Sequence, residues 1–219
     1  MIIQTDGPIR QFELPENWYG EPIYTPAIRR TFWEFSPQED SEVKWIVFCD
    51  GHKYDGLGAR FFDEKLFVPK QLIDGPASME LAKLIPPNPG CAGIDNLRFE
   101  SGSLKGRRVL TWYREYSEKQ QKSIQKIADA AGDASIILDI AFSAPIRSFD
   151  RFFAEAQSIT DSIVWVPIEE EGEWKDEAGP YGMYVNGERV VGRQAPKKLE
   201  YEDWLSRHPQ FRFKSVDVR

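Results

Sequence analysis

The stretch from Ala134 to Trp165 constrains this chain most. It opens with Ile136-Ile137-Leu138-Asp139-Ile140-Ala141-Phe142, a short apolar run rich in β-branched residues that reads as a buried strand. Ser143-Ala144-Pro145 reads as a corner. Phe149, Phe152, Phe153, Ala156, Ile159 and Ile163 then recur at helical spacing, on one stripe of a 3.6-residue helix. Arg147, Asp150, Arg151, Glu155, Gln157 and Asp161 fall largely on the opposite side. A stripe holding three phenylalanines needs a broad apolar partner, and the preceding strand is the nearest one. This unit sets an α+β architecture and carries no chemistry of its own.

Strand patterning continues on either side. Arg30-Thr31-Phe32-Trp33-Glu34-Phe35 and Val43-Lys44-Trp45-Ile46-Val47-Phe48 alternate, which predicts a hairpin across the polar linker from Ser36 to Glu42. Leu97 to Glu100 and Arg108 to Tyr116 predict a second hairpin, turning between Ser101 and Gly106. Leu110, Trp112 and Tyr116 share one face of its second strand, and Val109, Thr111 and Tyr113 the other. Ser117 precedes Gln120 at capping-box spacing, and Ile124, Ile127, Ala128 and Ala131 follow at helical spacing. That predicts a helix from Ser117 to Ala131, closed by Gly132. Another is predicted from Asp74-Gly75-Pro76 to Ile85, stopped by Pro86-Pro87-Asn88-Pro89-Gly90. Pro8, Pro15, Pro22 and Pro26 predict an extended N-terminal arm with at most one short strand, around Ile9 to Leu14. Near the end, Asn186-Gly187 lies between two apolar runs and predicts a tight hairpin. The composition shifts after Trp165, so the expected organisation is an α+β domain over 1–166 and a C-terminal hairpin and tail over 167–219, packed on the same domain.

The 219 residues include seven Trp and fourteen Phe, enough for a sizeable aromatic core. The formal net charge of −7 argues against the phosphate backbone of a nucleic acid as partner. Met1-Ile2-Ile3-Gln4-Thr5-Asp6 lacks a basic region followed by an apolar core, and no apolar run approaches the length of a membrane span. No membrane partner is expected, and the expected location is cytoplasmic. Two cysteines, Cys49 and Cys91, do not make a disulfide framework, and their pairing stays open.

Catalytic candidates are sparse. Cys49, His52 and Asp55 sit in a Gly-rich loop at intervals that a metal or a thiol nucleophile could use. There is no second ligand cluster, and His52 is too near Cys49 in sequence for the usual nucleophile–base geometry, so a turn with a polar tip is expected. Gly56-Leu57-Gly58-Ala59-Arg60-Phe61 breaks the dinucleotide pattern. His208, in the tail, reads as solvent-exposed. The acidic run Glu169 to Glu177 reads as a solvated loop, and the basic, aromatic tail from Pro196 as a segment that folds back on it. No cofactor and no metal are expected.

The Ile-Ala-Phe-Ser-Ala-Pro strand end, the Phe149, Phe152, Phe153 helix and the closing Ile159-Thr160-Asp161-Ser162-Ile163-Val164-Trp165 resemble the PsbP-like superfamily. Leu14-Pro15-Glu16-Asn17-Trp18 and Thr31-Phe32-Trp33-Glu34-Phe35 fit it more loosely. That group includes an extrinsic photosystem II subunit, a Ran-binding nuclear import factor and bacterial Eag-type effector chaperones. The resemblance implies an antiparallel sheet flanked by helices, an α/β/α sandwich, and a binding or accessory role without catalytic residues. Two features depart from the family: the helix expected over Ser117 to Ala131, and the residues after Trp165. The expected function is therefore non-enzymatic, a protein-binding accessory or chaperone-like protein, as a monomer or homodimer. Trp33, Trp45 and Trp112 are the candidate contacts, on the premise that one strand face is uncovered. The alternatives are a bacterial immunity or anti-toxin protein, whose acidic surface would steer it to a basic toxin, and an enzyme built on Cys49, His52 and Asp55.

Overall fold

The computed structural model describes residues 1–5, 7–25, 30–48, 52–53, 62, 72–73, 96–134, 136–168, 183–185 and 188–189. They form two antiparallel sheets and one helix. The strands are β1 (Ile2–Thr5), β2 (Ile9–Glu13), β3 (Trp18–Thr25), β4 (Arg30–Pro37), β5 (Lys44–Phe48), β6 (His52–Lys53) and β7 (Leu72–Ile73). They continue with β8 (Asn96–Leu104), β9 (Arg107–Tyr116), β10 (Gln121–Asp129), β11 (Ile136–Pro145), β12 (Val164–Trp165), β13 (Met183–Val185) and β14 (Glu188–Arg189). The helix α1 spans Ile146–Asp161. The larger sheet runs β3-β4-β5-β11-β10-β9-β8-β7, with β6 also paired to β11, and the smaller runs β12-β2-β1-β13-β14.

The expected central strand is β11, which is flanked by β10 on one edge and by β5 and β6 on the other. Cross-strand partners point to the same face, so the registers sort residues into rows. Trp33, Val47, Ile140, Lys126 and Thr111 make one row; Phe35, Trp45, Phe142, Ile124 and Tyr113 make the next. α1 covers part of this face. Its Phe149 and Phe153 rings lie 5.1 and 6.2 Å from Phe142, and Phe152, Ala156 and Ile159 are buried beside them. The phenylalanine stripe therefore does what its spacing predicts, although Ile163 joins the core from just beyond the helix end. The smaller sheet reaches the same core through Phe12, 5.7 Å from Phe35 and 5.1 Å from Trp45.

Polar contacts fix the helix in place. Trp45 Nε1 donates to Thr160 Oγ1 at 3.0 Å, and Trp18 Nε1 to Glu155 Oε2 at 2.7 Å. The first helical N–H, of Ile146, donates to the Gln120 carbonyl at 2.8 Å, so the β9–β10 turn caps a helix that has no side-chain cap. Arg147 pairs with Glu42 and Arg151 with Glu39, both on the β4–β5 connection. These pairs are exposed and contribute little individually.

The α+β class and its antiparallel sheet stand, and three local expectations are corrected. Residues 121–129 form β10, not a helix. A central strand is buried on both faces, so its apolar residues need not alternate, and Ile124, Ile127 and Ala128 imitate a helical period. The supposed capping box is a turn in which Gln120, at φ 51°, donates its side-chain amide to the Ser117 carbonyl at 2.6 Å. Ser143-Ala144-Pro145 is the extended end of β11, not a corner. The N-terminal arm, expected to hold at most one short strand, contains β1, β2 and all of β3. Pro22 is tolerated because β3 is the edge strand of its sheet in the described residues.

The β8–β9 hairpin is longer than expected: it closes at Lys105-Gly106, both in the left-handed region, at φ 51° and 86°. The other two expected hairpins, β4–β5 and β13–β14, are also paired, and β13 also pairs with β1. The helix expected over 74–85, Cys49, Cys91, the acidic run and the basic tail lie outside the described residues.

Candidate binding groove

α1 packs mainly on β11 and less on β10. Beside it the sheet leaves a groove of about 350 Å³, with Phe149 and Phe153 as one wall and Ile124 and Tyr113 as the floor. Arg98, Glu115, Lys122 and Asp150 surround it, with Arg114 and Ser123 at its margin. The placement follows from two periodicities. Odd-numbered Tyr113 and even-numbered Ile124 fall on the helix side through the β9–β10 register. Phe153 lies four residues after Phe149 on the flank of α1, and the two rings stack at 5.7 Å with 12° between their planes. Phe153 is half-buried there, whereas Phe152 is fully buried.

The charges are ordered by the same rows. Tyr113 donates its phenolic O–H to Glu100 Oε2 at 3.1 Å, and the Arg98 guanidinium lies 4.2 Å from the Tyr113 ring centre. Burial pushes the Tyr113 phenol above its ordinary pKa, the Glu100 carboxylate pushes it the same way, and Arg98 opposes both. Lys122 stands 3.8 Å from Glu115 and 5.8 Å from the Phe149 ring centre. Lys126 follows Ile124 on the same face and runs under the helix. With Trp45, Phe153, Gln157 and Thr160 it lines a void the size of one water, about 10 Å³. Burial lowers the pKa of Lys126, with the Asp161 and Glu100 carboxylates pulling the other way.

The opposite face of the sheet carries polar networks of a structural kind. Asp129, fully buried, accepts from Arg108 Nε at 3.0 Å and Nη2 at 2.6 Å, and from the backbone N–H groups of Gly132 and Ala134 at 2.9 and 3.0 Å. Arg108 also lies 5.1 Å from the Phe62 ring centre. Arg114 donates to Gln125 at 2.7 Å, and Gln125 to Asp139 at 3.1 Å, which pairs the polar group at the middle of β11.

The tryptophans expected at an open face lie inside: Trp33 is 4%, Trp45 0% and Trp112 3% exposed. Trp33 and Trp45 are on the helix side and Trp112 on the other, so both faces are covered where these rings sit. Tyr113 and Phe153, which line the groove, are half-buried instead. Of the Cys49, His52 and Asp55 set, only His52 is described, as backbone in β6 paired with Ile137. Among the described residues no group of three or more His, Cys, Asp or Glu side chains could hold a metal, and no helix is long and apolar enough to cross a membrane. Sequence reasoning missed Tyr113, Lys126 and Arg98 as a group. The available signal was alternation: once β10 is read as a strand, Lys126 falls between Ile124 and Ala128 on the core side.

No protein-family model matches the chain, and no curated protein sequence matches it. Solved structures similar to it include the solution structure of cyanobacterial PsbP (CyanoP) from Synechocystis sp. PCC 6803, with 10% identity and a TM-score of 0.40 over 75% of this chain and 93% of that one. They also include LpqN of Mycobacterium tuberculosis, described as involved in cell envelope biogenesis, with 12% identity and a TM-score of 0.41 over 75% of this chain and 92% of that one. At such identities no residue role passes from either protein to this chain.

Proposed function

We propose that this chain is a non-enzymatic accessory protein that holds a segment of another protein in the groove beside α1. The observation that supports this is the groove itself: stacked aromatic walls, an apolar floor and a rim carrying both signs of charge. Sites that bind polypeptide combine large, rigid apolar surface with peripheral polar groups that set register. Its volume, about 350 Å³, suits one or two side chains rather than a folded surface. Arg98 and Lys122 lie at the rim and can be reversed without opening the core.

The test is co-purification with the tagged full chain, run in parallel with an Arg98→Glu/Lys122→Glu variant. The reading predicts a protein retained by the parent chain and lost from the variant, while the two melt within a few degrees of each other. Identical retention by both, or nothing above an unrelated acidic control, overturns it.

A further inference from the structure

Lys126 is a cation placed where a core residue belongs. Its cross-strand partners are Ile140 and Thr111, and with Phe153 and Thr160 of α1 it lines the small void between helix and sheet. No carboxylate among the described residues lies within ion-pair distance of it. The carboxylates that act on it do so from farther away, and both are engaged: Glu100 by the Tyr113 hydroxyl, and Asp161 by Gln157 at 2.8 Å. The cations at the groove have local company. Lys122 faces Glu115, and Arg98 stacks on Tyr113. Ile124 and Phe153 border both the void beside Lys126 and the groove, so the two cavities adjoin.

We propose that Lys126 receives a carboxylate of the bound segment, so that the groove selects peptides in which an acidic residue adjoins an aromatic or large aliphatic one. This rests on the protein-binding reading of the groove and names its partner's chemistry. The apolar residue sits against Phe149, Phe153 and Tyr113. The acid supplies the counter-charge that the fold withholds from Lys126. A charged group half-submerged in an apolar seam costs stability, and a ligand carboxylate offsets that cost only when bound, which turns it into selectivity. A lysine that merely snorkels to solvent would leave peptide choice untouched.

The probe is a phage-displayed library of random heptapeptides panned against the full chain, with Lys126→Met and Arg98→Glu/Lys122→Glu chains in parallel. We expect enriched peptides to carry Asp or Glu beside an aromatic or large aliphatic residue. The best peptide, resynthesised with the acid changed to its amide, binds the parent about tenfold more weakly. Lys126→Met weakens the acidic peptide by the same factor and the amide peptide not at all. If the acid and amide peptides bind alike, or if Lys126→Met weakens both equally, the lysine assignment is wrong and the groove reading survives. If no sequence is enriched on the parent over the Arg98→Glu/Lys122→Glu chain, the groove reading falls as well. Methionine matches the lysine stem in volume, and unchanged circular dichroism checks that the variant is folded.

Discussion

Asp129→Ala separates the strand assignment of residues 121–129 from the helix that their spacing suggests, because the two predict opposite signs. On an exposed helix the change would replace a poor helix former with the best one and stabilise by roughly 0.5 kcal/mol. In the structure Asp129 is buried and accepts four hydrogen bonds, two from Arg108 and two from the backbone where the chain turns from β10 to β11. That turn uses Gly132 at φ 82° and Ala134 at φ 64°, so its N–H groups are aimed inward by a constrained backbone. The Arg108 side chain is 36% exposed and regains water when its partner goes, which limits the loss. The charge-assisted bonds and the two backbone bonds together put the cost at about 3 kcal/mol. In urea denaturation at neutral pH this lowers the midpoint by about 1 M and the thermal midpoint by about 6–12 °C for a chain this long. Asp129→Asn keeps an acceptor for the backbone groups and loses about half as much. A midpoint for Asp129→Ala at or above that of the parent would refute the network and the strand together.

Two further outcomes follow from local geometry. Lys126→Met is expected to stabilise the free protein by on the order of 1 kcal/mol at neutral pH, because a buried charge is removed. The folded-state pKa of Lys126 lies below its ordinary 10.5, so the unfolded chain binds more protons between the two values and parent stability from this group rises with pH there. The advantage of the methionine variant therefore shrinks as pH approaches 10.5 and above; the raised phenol of Tyr113 loses stability in that range in both proteins and cancels in the difference. A gain that grows with alkaline pH would contradict the placement of the amine. Gly20→Ala is expected to cost about 1–3 kcal/mol, because its Cβ would run into the Phe35 ring and lie 2.5 Å from the Glu34 carbonyl oxygen; unchanged melting would show that the Phe35 ring does not lie over β3.

What could be read from the residues is what local periodicity controls. Phe149, Phe152 and Phe153 announce α1 because three aromatic residues at helical spacing have no other economical arrangement, and Ile136 to Phe142 announce the strand beneath it. β10 was not legible. Its neighbours β9 and β11 decide that both its faces are covered, and those contacts are long-range. Pro22 hid β3 for a related reason: whether a proline breaks a strand depends on which edge it occupies. The tryptophans misled because their size marks them for interfaces and cores alike, and only topology shows that Trp33, Trp45 and Trp112 are interior. The groove is invisible in the chain order. Arg98, Tyr113, Lys122 and Phe153 come from four different elements, and no motif links them.

The most direct test of the groove as the binding surface is photo-crosslinking of the co-purifying protein to the full chain, with p-benzoylphenylalanine in place of Arg98 and, separately, in place of Tyr19. Both positions are exposed, one at the groove rim and the other on edge strand β3. The account predicts an adduct from the Arg98 position and none from the Tyr19 position, with the Arg98 adduct suppressed by excess acidic peptide. An adduct at Tyr19 alone, or equal adducts that the peptide leaves unchanged, would place the partner elsewhere on the molecule.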